Sequence, residues 1–155
     1  MSNAERRLSE MGIEIDSVDR KGCGKLAFRR YRDLLFISGH GPFDASGNPL
    51  IQGRIGDDLT PEDAYDAGRL AAISMLATIK DAIGDLDRID YFVKALGLIN
   101  SGGDFFGMPA ALNGFSDVFT QAFGHNGQHA RAAMGCGNHQ DNVPIVADMI
   151  IKLKA

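Results

Sequence analysis

The alternation of apolar and polar residues divides the chain into short β-prone runs and two longer helical stretches. Residues 4–11 pattern as a short helix that Gly12 stops. Gly22-Cys23-Gly24 reads as a turn. Strands are predicted over 25–30 and 33–38, joined tightly at Tyr31-Arg32. The second of them, through Leu34-Leu35-Phe36-Ile37, is apolar at successive positions, as a strand covered on both faces is. It ends in Ser38-Gly39-His40-Gly41-Pro42, and a turn follows over 44–49. Thr60-Pro61-Glu62-Asp63 is a helix start: a capping hydroxyl, a proline at the first helical position, and acids at the positive dipole end. That helix runs to Ile83 with Gly84 as its stop, and Ala64, Ala67, Gly68, Ala71, Met75 and Ile79 form its core stripe. A strand over 90–98 comes next. A second helix over 108–123 carries Leu112, Phe115, Phe119 and Phe123 on one face. A strand over 127–135 and an apolar last strand over 144–153 complete the pattern.

Strands, helix, strand, helix, strand, strand is the order of an α+β fold. The two helices belong on one face of a mixed β-sheet. The other face is also apolar, since the Leu34 strand and the last strand supply apolar residues to both sides, yet no helix is left to cover it. Other subunits, arranged as a closed ring of like copies, are expected there. Residues 1–24 read as an N-terminal extension and 25–155 as the domain proper. At 155 residues this is one domain with a substantial core.

Charge narrows the function classes. A net charge of −4 advertises no basic surface, so no nucleic-acid partner is expected. Two cysteines in a chain of this size do not make a disulfide framework, which points to a reducing, cytoplasmic setting. No apolar run approaches the roughly 20 residues of a membrane span, and residues 1–10 are charged, without an apolar signal core.

The candidate chemistry centres on Gly127-Gln128-His129-Ala130-Arg131-Ala132-Ala133-Met134-Gly135. On a strand, Arg131 points from one face and Ala130 and Ala132 from the other, with His129 on the arginine's side. A guanidinium among small residues needs an anion: a carboxylate of its own chain, or a small carboxylated ligand held by two parallel hydrogen bonds. The histidines and cysteine in His125, His129, Cys136 and His139 are loosely spaced, with no His-Glu-x-x-His or paired Cys-x-x-Cys, so no metal site is expected. Cys136 reads as an inert thiol. Asp57, Asp58, Glu62 and Asp63 read as a solvated acidic cluster at a helix start.

Several stretches in sequence resemble the RidA/YjgF family of reactive-intermediate deaminases. They are Leu35-Phe36-Ile37-Ser38-Gly39-His40-Gly41-Pro42, Asp85-Leu86-Asp87-Arg88-Ile89, Leu112-Asn113-Gly114, and above all His129-Ala130-Arg131-Ala132-Ala133-Met134-Gly135 followed by Val143-Pro144. The resemblance covers about residues 25–155. It implies a chorismate mutase-like fold, a homotrimeric barrel with clefts between subunits, and hydrolysis of small 2-imino or 2-enamino acids to 2-keto acids and ammonia without metal or organic cofactor. It further implies that Arg131 grips the substrate carboxylate, and that Ser38, Gly39, Asn113 and Ala133 lie along the binding site. The chain departs from the deaminating pattern at three points. Val146 stands at the position of a water-placing glutamate, with Asp148 the nearest acid. Ala133 stands at the family cysteine, and His40 where a glutamine often follows Ser-Gly. His40 or His129 is then expected to move protons. The alternative is a regulatory trimer that binds a small carboxylated metabolite without turning it over. Some relatives carry an endoribonuclease label, which the acidic balance weighs against.

Overall fold

In a computed structural model, which describes residues 1–15 and 25–155, the chain forms a five-stranded sheet with its helices gathered on one face. The turn expected at Gly22-Cys23-Gly24 lies outside the described residues. Helix α1 (Asn3–Glu10) starts at Ser2, whose hydroxyl accepts from the Glu5 N–H while the Glu5 carboxylate accepts from the Ser2 N–H. The Asp87 carboxylate then takes the next orphan donors, the N–H groups of Asn3 (2.8 Å) and Ala4 (3.1 Å). So pinned, α1 sends Ala4 and Leu8 into the core, together with Ile13 just beyond it. Residues from the expected N-terminal extension thus share the interior of the domain.

Strands β1 (Phe28–Tyr31) and β2 (Leu34–His40) form a hairpin whose turn holds Arg32 at φ 55°. Helix α2 (Pro61–Ile83) begins as its sequence predicts, with Thr60 and Asp63 capping each other's backbone N–H, and ends at Gly84. Strand β3 (Ile89–Asn100) follows, then helices α3 (Met108–Ala111) and α4 (Asn113–Phe123), strand β4 (Ala130–Cys136) and strand β5 (Ile145–Leu153). The order across the sheet is β1-β2-β5-β3-β4, with β3 and β4 parallel and the other neighbours antiparallel. The last strand of the chain is therefore central, as its apolar run requires.

The strand period sorts side chains onto two faces. Phe92, Ala95 and Ile99 of β3 join Ile145, Ala147, Met149, Ile151 and Leu153 of β5 beneath the helices, all buried. Phe92 meets the rings of Phe119 and Phe123 with centroids 4.8 and 4.9 Å away. Gly97 lets Leu112 rest on the strand, because a Cβ there would run into the leucine methyls. Gly114 does the same for the helix pair, since a Cβ would strike the Tyr65 carbonyl of α2. Among the described residues no helix covers the opposite, bare face. Phe36 stays 40% and Met134 56% exposed, and Ile150, Leu96 and Leu98 run between them, with Asp148 paired to Leu96 in their midst.

Two strands start later than expected, β1 at Phe28 and β4 at Ala130, so His129 precedes its strand; the larger difference is in the second helix. The helix expected to be continuous over 108–123 breaks at Leu112, which is fully buried against β3. The break has a consequence for the site.

Candidate functional site

Arg131 lies on β4, the edge strand, opposite Ala95 in the parallel register and so on the helix face. Its neighbours Ala130 and Ala132 point to the bare face, as the period predicts. The guanidinium is held by three neutral acceptors. Nη1 donates to Asn113 Oδ1 at 3.0 Å and to Ser116 Oγ at 3.1 Å, and Nη2 donates to the Pro109 carbonyl at 3.1 Å. An unbroken helix would commit that carbonyl to the Asn113 N–H four residues on; the break at Leu112 leaves it for the arginine. Among the described residues no carboxylate pairs with Arg131. Of its five N–H groups, the one on Nε and one on Nη2 have no acceptor there.

His129 stands beside it. Its Nε2 is 3.0 Å from Ser116 Oγ and its Nδ1 2.8 Å from the Gly127 carbonyl. Burial holds its pKa below the ordinary histidine value and the Arg131 charge adds to this, while the Gly127 carbonyl pulls the other way. A cavity of about 390 Å³ opens against His129, lined also by Tyr91, His125, Asn126 and Gln128. Arg131, His129 and Asn113, each expected at the site, thus meet around Ser116, which sequence reasoning missed. Its signal was present: Asn113 and Ser116 are a polar pair three residues apart on a helix otherwise apolar at Leu112, Phe115 and Phe119. Ala133, two residues beyond Arg131, shares its face of β4.

The remaining candidates lie elsewhere. Ser38 and Gly39 occupy a bulge in β2, where the register against β5 slips by one residue between Ile37 and His40. The Ser38 hydroxyl donates to the Leu26 carbonyl at 2.6 Å. A groove of about 430 Å³ runs past Ser38, Phe36, Asp148 and Ile150. His40 is 3% exposed, with Nδ1 2.6 Å from the Ser38 carbonyl and Nε2 2.8 Å from Thr78 Oγ1 of α2. It faces the helices, not the groove. Val146 is buried, one residue from the His40 partner Ala147 and two from Asp148, which lines the groove. Between β2 and β4 lie β5 and β3, so at the usual interstrand spacing the two groups are about 14 Å apart within one chain. The Arg131 cluster and the Ser38-Gly39 bulge are therefore separate groups within one chain.

A third cluster joins Cys136, a free thiol, to His139: Sγ is 3.2 Å from Nε2, which also lies 3.0 Å from the Leu98 carbonyl. Burial raises the thiol pKa and lowers that of the imidazole, so both rest neutral. Among the described residues no three His, Cys, Asp or Glu side chains gather as a metal site would need, and no helix is long and apolar enough to cross a membrane.

A family model described as "YjgF/chorismate mutase-like, putative endoribonuclease" matches residues 5–146. The chain belongs to the YjgF/chorismate mutase-like family. This YjgF-like chain is 27% identical over 147 residues to protein TCP17 of Trypanosoma cruzi, covering 94% of its own length and 91% of the relative's. Its fold superposes on Atu1372 of Agrobacterium tumefaciens, a protein of unknown function, with a TM-score of 0.90 at 30% identity, over 98% of this chain and 93% of that one. A Shewanella oneidensis protein described as a "putative endoribonuclease" gives 0.90 at 29% identity, over 97% and 99%. A Rid-family protein from Yersinia pestis, YyfA, shares the fold at 15% identity with a TM-score of 0.63, over 91% and 97%.

Proposed function

We propose that this YjgF-like protein is a homotrimer whose inter-subunit clefts bind small 2-imino or 2-enamino acids and hydrolyse them to 2-keto acids and ammonia. The observation that carries the reading is the Arg131 guanidinium, anchored by three neutral oxygens and, among the described residues, left with two N–H groups and an uncancelled charge. That is a carboxylate receptor prepared in advance, and it orients a ligand at little entropic cost. Read as two halves of one cleft, the Arg131 cluster and the Ser38-Gly39 bulge support the trimer. A cyclic contact sets the β4 side of one copy against the β2 side of the next, closes after three copies, and covers the bare apolar face. Arg131 and Asn113 of one subunit would then face the groove at Ser38 and Gly39 of its neighbour.

Water attack on the C=N carbon needs a held carboxylate, a positioned water and a proton for the departing nitrogen. Asp148 projects from the same face of β5 as Val146, two residues further on, and is exposed at the groove. It is the acid available to position water there. Val146 itself offers no polar atom, which favours a second reading: carboxylate binding without turnover, as in a metabolite sensor.

The test is keto-acid release from imines generated in situ, followed with wild-type protein and with Arg131→Ala. Accelerated release that the substitution abolishes supports hydrolysis. Arg131-dependent binding of a 2-keto acid without acceleration supports the sensor. A protein that binds no 2-keto acid, or whose Arg131→Ala variant binds as well as wild type, overturns both. RNA cleavage that survives removal of contaminating nuclease would instead favour the activity named in the description of the Shewanella relative.

A further inference from the structure

Hydrogen-bond directions around Ser116 follow from which atoms carry hydrogen. The Gly127 carbonyl only accepts, so His129 Nδ1, 2.8 Å away, bears a hydrogen. A neutral imidazole then has a bare lone pair at Nε2. Arg131 Nη1 only donates, so Ser116 Oγ accepts from it. The single Ser116 hydrogen is therefore the one directed at His129 Nε2, 3.0 Å away. The chain runs one way: guanidinium to hydroxyl to imidazole to backbone carbonyl. We infer that Ser116 is a positioning residue that couples the two ends of this chain, so that a carboxylate seated on Arg131 drives uptake of a proton at His129. The inference rests on Arg131 being the carboxylate anchor proposed above.

The coupling has a definite sign. With the site empty, the positive charge of Arg131 polarises the Ser116 hydroxyl toward His129 and opposes a second cation next to it. A carboxylate on the free N–H groups of Arg131 cancels that charge, and His129 then binds a proton at Nε2. Ser116 Oγ next accepts from both neighbours, and its own hydrogen is released to point elsewhere. Passing that hydrogen to a bound nitrogen while taking the one from Nε2 moves one proton from imidazolium to amine and leaves the serine unchanged. A site wired this way loads its proton donor only when an acid is bound, which suits a substrate bearing both a carboxylate and a C=N nitrogen. Among the described residues few other charges reach His129. From β3 and the turn before β4 come Tyr91 and His125, across the cavity. From α4 come Ser116 and the edge of the Phe119 ring, and Asp117 on that helix is engaged by the Tyr65 hydroxyl at 2.8 Å.

Histidine titration by NMR tests this in the intact protein, with pyruvate as the probe. In wild type, saturating pyruvate is expected to raise the His129 pKa, and pyruvate affinity to rise as pH falls below the ordinary histidine range, by up to about tenfold per pH unit for one linked proton. The free protein should show the hydrogen on Nδ1. Ser116→Ala should keep pyruvate binding and lose most of the shift, and Ser116→Thr, which retains the hydroxyl, should restore it. If pyruvate binds through Arg131 while the His129 pKa does not move, the coupling is refuted and the anchor stands. If Ser116→Ala leaves the shift intact, the serine has no part in it. If pyruvate does not bind at all, the anchor fails and the coupling with it. Should Ser116→Ala not fold, Ser116→Gly or Ser116→Cys takes its place, and a His129 shift left intact by loss of the hydroxyl overturns the serine's role.

Discussion

Replacing Arg131 by lysine keeps the charge and removes the fork, so it separates simple electrostatic attraction from directed recognition. The guanidinium spends three N–H groups on Asn113, Ser116 and Pro109 and has two left over, spread across separate nitrogens. An ammonium has three donors on one atom and a different reach. It cannot satisfy three internal oxygens and also offer paired donors to a ligand. At least one charge-assisted hydrogen bond to the carboxylate is lost, which costs about 1.5–3 kcal/mol and weakens binding roughly 10- to 150-fold. Fold stability should fall by no more than about 1 kcal/mol, because lysine keeps the charge and the bonds to Asn113 and Pro109 are solvent-exposed at an edge strand. Isothermal titration with pyruvate, alongside urea unfolding of both proteins, reads the two quantities separately. A lysine variant that binds within about twofold of wild type would show that the fork is not what recognises the ligand.

Three other outcomes follow from the same contacts. Leu8→Ala empties a fully buried position and should lower unfolding stability by about 2–5 kcal/mol in urea titration; a change below about 1 kcal/mol would mean that α1 is not integral to the core. His129 and His139 are both held below the ordinary histidine value of 6.5, chiefly by burial, so the unfolded chain binds protons at them more readily. Their contribution to stability is whole above that value and is lost as pH falls through the lower native pKa values; urea midpoints should drop on acidification, and His129→Gln with His139→Gln should flatten the decline. Mixing Arg131→Ala chains with Ser38→Tyr chains should regenerate about a quarter of the binding sites if subunits exchange at random in a cyclic trimer, whereas no recovery by titration after co-refolding would argue against sites shared between subunits.

The elements that were legible in the sequence are those whose signals are local. Thr60-Pro61 and Gly84 bound α2 at both ends because capping chemistry acts within one turn. The faces of β4 followed from the strand period, and the central position of β5 from its unbroken apolar run. His40 was not legible, because its destination depends on Thr78, 38 residues away, and on a bulge at Ser38-Gly39 that interrupts the period. What read as a candidate for proton transfer is a buried histidine with both nitrogens engaged. Nor was the separation of Arg131 from the Ser38-Gly39 bulge, which depends on β5 and β3 entering the sheet between β2 and β4. No local pattern encodes that order.

The break at Leu112 explains how an arginine that meets no carboxylate among the described residues is tolerated on this edge. On the helix face of a central strand, Arg131 would be buried among Phe92, Ala95 and Phe119, and its charge would need a carboxylate partner from the fold. On the edge strand it reaches past the sheet to the junction of two short helices. There the interruption supplies a backbone carbonyl, and the first turn of α4 supplies an amide and a hydroxyl. Each of these satisfies N–H groups without neutralising the charge. A structural salt bridge would have stabilised the residue and cancelled its attraction for a ligand. Neutral acceptors stabilise its position without cancelling its charge, which is the arrangement the proposed carboxylate anchor requires.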